Sequence, residues 1–131
     1  MTPDGKYIIA VDFDGTLIKG NTWPDVNGQP NEALVKHLIK EKRRGNKVIL
    51  NTCRVGEPLI VARDFCRKLG LEFDAINENL PEITEAYGSD TRKISADIYI
   101  DDHACHPEYM DWKFMNEFGF FITEDYKYSK E

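Results

Sequence analysis

The feature that most constrains this chain is a short apolar run, Tyr7-Ile8-Ile9-Ala10-Val11, that leads straight into Asp12-Phe13-Asp14-Gly15-Thr16. A strand that is apolar on both faces belongs inside a parallel sheet covered by helices. In open α/β sheets ligands bind beyond the carboxyl ends of the strands, so the two acids are expected at a binding edge. Side chains alternate along an extended segment, which sets Asp12 and Asp14 on one side and turns Phe13 to the other. Gly15 lets the backbone bend sharply and come close to a ligand. The arrangement suits a metal ion and a phosphate.

The rest of the chain alternates helix and strand signals. Residues 17 to 30 carry Gly20, Asn21, Pro24, Asn27, Gly28 and Pro30 and read as a loop or short hairpin. A helix is predicted from Asn31 as N-cap, with Leu34, Val35, Leu38 and Ile39 on one stripe and Lys42, Arg43 and Arg44 in its last turn before Gly45. Lys47 to Asn51 is a second strand, followed by Thr52, Cys53 and Arg54, and Glu57-Pro58 opens a second helix that Gly70 stops. Phe73 to Ile76 is a third strand, the stretch 77 to 95 has no clear assignment, and Ala96 to Ile100 is a fourth strand ending in Asp101-Asp102. A helix over 107 to 118, an edge strand at 120 to 122 and a polar tail complete the chain. This order predicts one α/β domain over residues 1 to 131, a Rossmann-like three-layer α/β/α fold with a mainly parallel sheet and no separate cap domain.

Bulk properties narrow the function. The chain has 131 residues, enough for one domain with a real core. It has no apolar stretch long enough to span a bilayer, and Met1 to Lys6 lacks the basic and apolar regions of a signal peptide, so a soluble cytoplasmic protein without a membrane partner is expected. Three cysteines without a Cys-x-x-Cys pair predict reduced thiols and argue against zinc, and His103, Cys105 and His106 lack paired ligand spacing. A formal charge of −6 argues against broad nucleic-acid binding; the run Lys40 to Arg44 reads as a solvated helix face.

Three strand ends then bring polar groups to one edge: Asp12 and Asp14, Thr52 and Arg54, and Asp101 and Asp102, with Lys93 shortly before the last strand. Like charges about 4 Å apart repel by roughly 4 kcal/mol at an effective dielectric near 20, so converging carboxylates call for a cation. An all-oxygen donor set is what Mg²⁺ prefers, and Mg²⁺ is the expected cofactor.

The order Asp-Phe-Asp-Gly-Thr, strand-end Thr, Lys and strand-end Asp-Asp over residues 6 to 102 resembles the haloacid dehalogenase superfamily of phosphohydrolases. The resemblance implies a Mg²⁺-dependent phosphatase that hydrolyses a phosphomonoester. Asp12 would be the nucleophile that becomes an aspartyl-phosphate, and Asp14 the general acid and base, its backbone carbonyl also binding the metal. Thr52 and Lys93 would hold the phosphoryl oxygens. Gly15, Thr16 and Arg54 are expected to contact substrate, and Asp101 to complete the metal site with Asp102, which either binds the ion through water or orients Lys93. Trp23, in the first loop, is a weaker candidate for substrate contact than Arg54.

The chain departs from many of those relatives in having room for no cap, only the loop 17 to 30 and the stretch 77 to 92. An open site is expected, for a phosphorylated small molecule or a bulky substrate, or one covered by a second subunit of a homo-oligomer. Phosphorylatable receiver domains use similar residues, but in them the acidic pair follows the first strand and the acceptor Asp comes later. The alternatives to catalysis are an inactive phospho-ligand-binding domain or a phosphorylation-dependent switch.

Overall fold

A computed structural model describes residues 1–88 and 94–101. The expected helix over 107 to 118, the edge strand at 120 to 122, and Lys93, Asp102, His103, Cys105 and His106 lie outside the described residues. The elements run β1 (Ile8–Val11), α1 (Glu32–Arg43), β2 (Lys47–Leu50), α2 (Gly56–Lys68), β3 (Ala75–Ile76), α3 (Pro81–Tyr87) and β4 (Ile98–Ile100). The four strands form one sheet in the order β3-β2-β1-β4, with every pairing parallel. The architecture is α/β and Rossmann-like, and the described residues include no separate cap.

β1 lies between β2 and β4, and all four of its residues are buried, as an apolar run with no polar face requires. Strand alternation divides the core in two. Ile9, Val11, Val48, Leu50, Ile98 and Ile100 face one layer with Leu34, Val35 and Leu38 of α1 and Ala62 and Cys66 of α2. Ile8, Ile49 and Ala75 face the other side, against Leu80 and Ile83 at α3. Truncating one of these fully buried Ile or Leu side chains to Ala is expected to cost about 2–5 kcal/mol.

Helix α1 follows its sequence signals closely. The Asn31 Oδ1 accepts from the Leu34 N–H at 3.2 Å, and basic residues fill the last turn. Helix α2 starts at Gly56, one residue before the expected Glu57, behind an extended Val55 that offers no side-chain cap. Strands β3 and β4 are shorter than predicted for one shared reason. The Asp74 carboxylate takes the Val48 N–H at 2.8 Å, and the Asp97 carboxylate takes the Ile8 N–H at 2.8 Å. In both places a side chain replaces the carbonyl that a longer strand would have supplied. Helix α3 falls in the stretch left unassigned; its seven residues are too few to show a helical period. No helix among the described residues is long and apolar enough to cross a membrane.

Candidate active site at the carboxyl edge of the sheet

Because β1, β2 and β4 are parallel, Asp12, Thr52 and Asp101 emerge on one edge. Pairing continues one residue past the strands: the Asp12 N–H donates to the Ile100 carbonyl at 3.0 Å, and the Asn51 N–H to the Val11 carbonyl at 2.8 Å. Asp12 and Asp101 thus stand at neighbouring strand ends, both half-buried. The Asp12 Oδ1 accepts from the Phe13 N–H at 2.8 Å, which fixes the carboxylate against the turn that follows.

That turn is tight. The N–H groups of Thr16, Leu17 and Ile18 converge on the Phe13 carbonyl at 3.1, 3.0 and 3.2 Å. Gly15 sits at φ 76°, where a side chain would be strained, and its N–H donates to the Gly20 carbonyl at 3.0 Å. The segment up to residue 30 is a small hairpin, closed by an antiparallel bridge between Ile18 and Pro30 and by the Lys19 N–H on the Gln29 carbonyl at 2.8 Å. The Asn31 Nδ2 donates to the Thr16 carbonyl at 3.0 Å and joins this turn to α1.

Arg54 is the hub of the site. Its Nε and Nη2 grip the two Asp14 oxygens at 2.9 and 2.8 Å, its Nη1 donates to the carbonyls of Pro24 and Pro58, both at 3.1 Å, and Nη2 also donates to the Asp25 carbonyl at 2.7 Å. A guanidinium has five N–H donors, and all five are used. The residue is 2% exposed. A buried cation is costly unless paired and hydrogen-bonded, and here the bidentate carboxylate, three carbonyls and the Phe13 ring, 4.7 Å from the guanidinium carbon, provide that compensation. Phe13 in turn packs edge-on against Phe65 of α2, with ring centroids 5.8 Å apart.

Thr52 and Arg54 belong to one loop held from β3. The Thr52 Oγ1 accepts from the Arg54 N–H at 3.2 Å, the Thr52 N–H donates to the Asn77 Oδ1 at 2.8 Å, and the Asn77 Nδ2 donates to the Arg54 carbonyl at 3.3 Å. Asn77 adopts φ 53°, a conformation that Asn tolerates better than most residues. Sequence reasoning missed this residue; an Asn at the end of a short apolar run was the signal.

Two of the residues expected at the substrate have buried side chains. Arg54 was expected to contact substrate; here its donors are all engaged inside the protein, two of them by Asp14. Thr16 was also expected at the substrate, yet it is 2% exposed, and its buried Oγ1 has no hydrogen-bond partner among the described residues. Gly15 stays half-buried at the turn. Trp23 is 61% exposed on the hairpin. Lys93 and Asp102 lie outside the described residues.

The donor chemistry bears on a metal ion. Among the described residues, no group of three or more His, Cys, Asp or Glu side chains is placed to hold one. Of the expected acids, Asp14 turns its carboxylate to Arg54, and Asp102 lies outside the described residues. Among the described residues the edge also carries the carboxylates of Asp12 and Asp101 on adjacent strands, with backbone carbonyls. Those oxygens suit a hard cation such as Mg²⁺. Cys53 is exposed beside Thr52. Cys66 is buried in α2, where burial pushes its thiol up to about 12 and keeps it protonated.

The fold and this edge define a class: a Rossmann-like α/β protein with acidic residues gathered at the carboxyl ends of its central strands. A solved structure, described as that of a conserved protein coded by a locus from Bacteroides thetaiotaomicron, is similar at 35% sequence identity and a TM-score of 0.67, over 86% of this chain and 91% of that one. The chain belongs to the family of that conserved protein. No protein-family model matches the chain, and no curated protein matches it.

Proposed function

We propose that the protein is a Mg²⁺-dependent phosphatase of the haloacid dehalogenase type that hydrolyses a phosphomonoester through an aspartyl-phosphate on Asp12. The observation that carries this reading is the pair Asp12 and Asp101, carboxylates at the ends of two adjacent parallel strands, with Thr52 at the end of a third. Asp12 and Asp101, with the Asp14 carbonyl, would hold the ion. Bound there, Mg²⁺ would offset the charge of the carboxylates and of the phosphoryl oxygens.

In the first step an Asp12 oxygen attacks phosphorus. The ester P–O bond breaks, and the leaving oxygen takes a proton from Asp14. In the second step Asp14 removes a proton from water, whose oxygen attacks the phosphoenzyme, breaks the new P–O bond to Asp12 and releases phosphate. Thr52 and Lys93 would hold the phosphoryl oxygens during both transfers. With no cap among the described residues, the edge suits a bulky phosphorylated substrate, or a small one covered by a second copy of the chain. The proposed setting is the cytoplasm.

One observation favours a second reading, a domain that binds phosphorylated ligands without turning them over: both Asp14 oxygens are engaged by Arg54. Phosphate release from a panel of phosphoesters separates the two, with Mg²⁺ or EDTA and with wild type or Asp12→Asn. Release that is lost in EDTA and in Asp12→Asn supports the phosphatase. Phosphate binding by calorimetry without release from any ester supports the binding domain.

A further inference from the structure

We infer that Arg54 is a positioning residue that couples the Asp14 carboxylate to the hairpin of residues 17 to 30, so that the state of the site and the order of the hairpin change together. The coupling itself rests on geometry alone; its consequence for turnover rests on the phosphatase reading. One guanidinium joins three pieces of chain that are distant in sequence. It holds Asp14 on β1's outgoing turn by both oxygens, the hairpin tip through the Pro24 and Asp25 carbonyls, and the first turn of α2 through the Pro58 carbonyl. All five donors are filled and the residue is 2% exposed, so water cannot replace a partner without uncovering the guanidinium.

The tip has its own order. The Thr22 Oγ1 donates to the Asp25 carbonyl at 3.0 Å, the Asp25 N–H to the Thr22 carbonyl at 2.8 Å, and the Trp23 N–H to the Asn21 Oδ1 at 3.0 Å. These bonds close the turn on itself, but the bonds that tie its tip to the site run through Arg54. An acid or base needs a carboxylate oxygen within hydrogen-bond reach of the reacting group. When Asp14 carries the proton that the acid role requires, one of its oxygens becomes an O–H and loosens its hold on a guanidinium donor. The guanidinium must then either keep its carbonyl partners and leave a donor unfilled, or shift and take the tip, with the exposed Trp23, along. Hairpin order and Asp14 availability are linked as two ligands of one protein are linked, through a shared equilibrium.

Amide hydrogen exchange tests this without reference to activity. In Asp14→Asn, one Asp14 acceptor becomes an NH₂ facing the guanidinium, while the backbone of the turn is unchanged. Exchange over residues 19 to 30 is expected to rise at least threefold in Asp14→Asn and in Arg54→Lys, which keeps the charge but cannot bridge, while β1 and β2 exchange as in wild type. The double variant should exceed neither single one by more than their scatter. Wild-type exchange at the hairpin in Asp14→Asn, or full additivity in the double variant, overturns the coupling. If either variant fails to fold, Asp14→Glu, which lengthens the arm of the same pair, is measured in its place with the same expectation. For turnover, Arg54→Lys should lower kcat about tenfold with KM within twofold of wild type, because it mispositions Asp14 rather than removing a substrate contact; a raised KM at unchanged kcat would return Arg54 to substrate binding and overturn the positioning role. A protein with coupled exchange and no phosphatase activity would sink the phosphatase reading and leave the coupling intact. An active phosphatase whose hairpin ignores Asp14→Asn would do the reverse.

Discussion

The two edges of the sheet are both acidic, and they use their acids differently. At the amino edge, the residue before each of three strands lends a side chain to a neighbour. Asn46 Oδ1 accepts from the Tyr7 N–H at 3.0 Å, Asp74 from the Val48 N–H at 2.8 Å, and Asp97 from the Ile8 N–H at 2.8 Å. The fully buried Glu41 is held there as well, by the Asn46 Nδ2 at 2.8 Å and by Arg44 at 3.3 Å. Each of these groups satisfies strand backbone or another side chain, which is work done for folding. At the carboxyl edge, Asp14 is matched to an internal cation, and Asp12 and Asp101 end adjacent strands. An acid at the end of a strand is thus not a functional signal until its partners are known.

The sharpest way to break this contrast is to change one acid at each edge. Asp12→Asn keeps an oxygen for the Phe13 N–H, so the fold should hold with a denaturation midpoint close to wild type. Turnover should fall by at least about 10³-fold, because an amide cannot replace a carboxylate nucleophile. Steady-state phosphate release and urea unfolding on the same preparation check both halves. Comparable activity in the variant would end the nucleophile assignment and with it the functional reading of this edge.

Asp97→Ala is the mirror experiment. It leaves the Ile8 N–H, on a residue 1% exposed, without its side-chain acceptor and removes the partner of the Met1 ammonium at 2.8 Å. An unsatisfied buried donor costs about 1–3 kcal/mol, so the urea midpoint should drop by that equivalent at an unchanged m-value. Activity per folded molecule should stay at wild type. Asp97→Asn, which retains an acceptor, should recover much of the loss. A catalytic defect in Asp97→Ala without destabilisation would erase the division of labour between the edges.

A smaller effect comes from the proposed ion. A ligand that binds only the native state stabilises it by about 1.4 kcal/mol when present at tenfold its dissociation constant. Mg²⁺ should therefore raise the thermal midpoint of wild type and do so less in Asp101→Asn, while leaving its effect on Asp97→Asn unchanged. Differential scanning fluorimetry across a Mg²⁺ titration reads this directly. Equal stabilisation of all three proteins would place the ion away from the carboxyl edge.

How much of this was legible in the sequence differs between the edges for a physical reason. The run Tyr7 to Val11 announced a central parallel strand, and Asn31, Lys42 to Arg44 and Gly45 bracketed α1 to within one residue, because these signals are local. Asp74 and Asp97 were read only as parts of strands. Their work is done on backbone 26 and 89 residues away, which no periodicity reports. Arg54 was found, but its internal partners were not. A strand-end arginine next to a Thr suggests a phosphate contact, and only the chain path shows that Asp14, 40 residues earlier, takes its fork. Asn77 and α3 were missed for the complementary reason: a two-residue strand and a seven-residue helix are too short to carry a pattern.

The smallest effect sharpens the contrast at a residue that serves both ends of the argument. Asn31 caps α1 through its Oδ1 and ties the turn after Asp14 through its Nδ2 on the Thr16 carbonyl at 3.0 Å. Asn31→Ser keeps a good capping oxygen and removes the amide donor, so the helix should be retained while the link to the turn is lost. The side chain is 1% exposed, and one internal hydrogen bond contributes about 0.5–1.5 kcal/mol. Stability should fall by that amount, with far-ultraviolet circular dichroism unchanged. Because the lost bond lies on the backbone of the turn carrying Asp14 and not on its carboxylate, hydrogen exchange should rise around residues 16 and 17 and leave the hairpin tip at 22 to 25 near wild type. Loosening of the tip in Asn31→Ser would mean that the hairpin is held mainly from α1, and Arg54 would lose its place as the link between the edge and the loop above it.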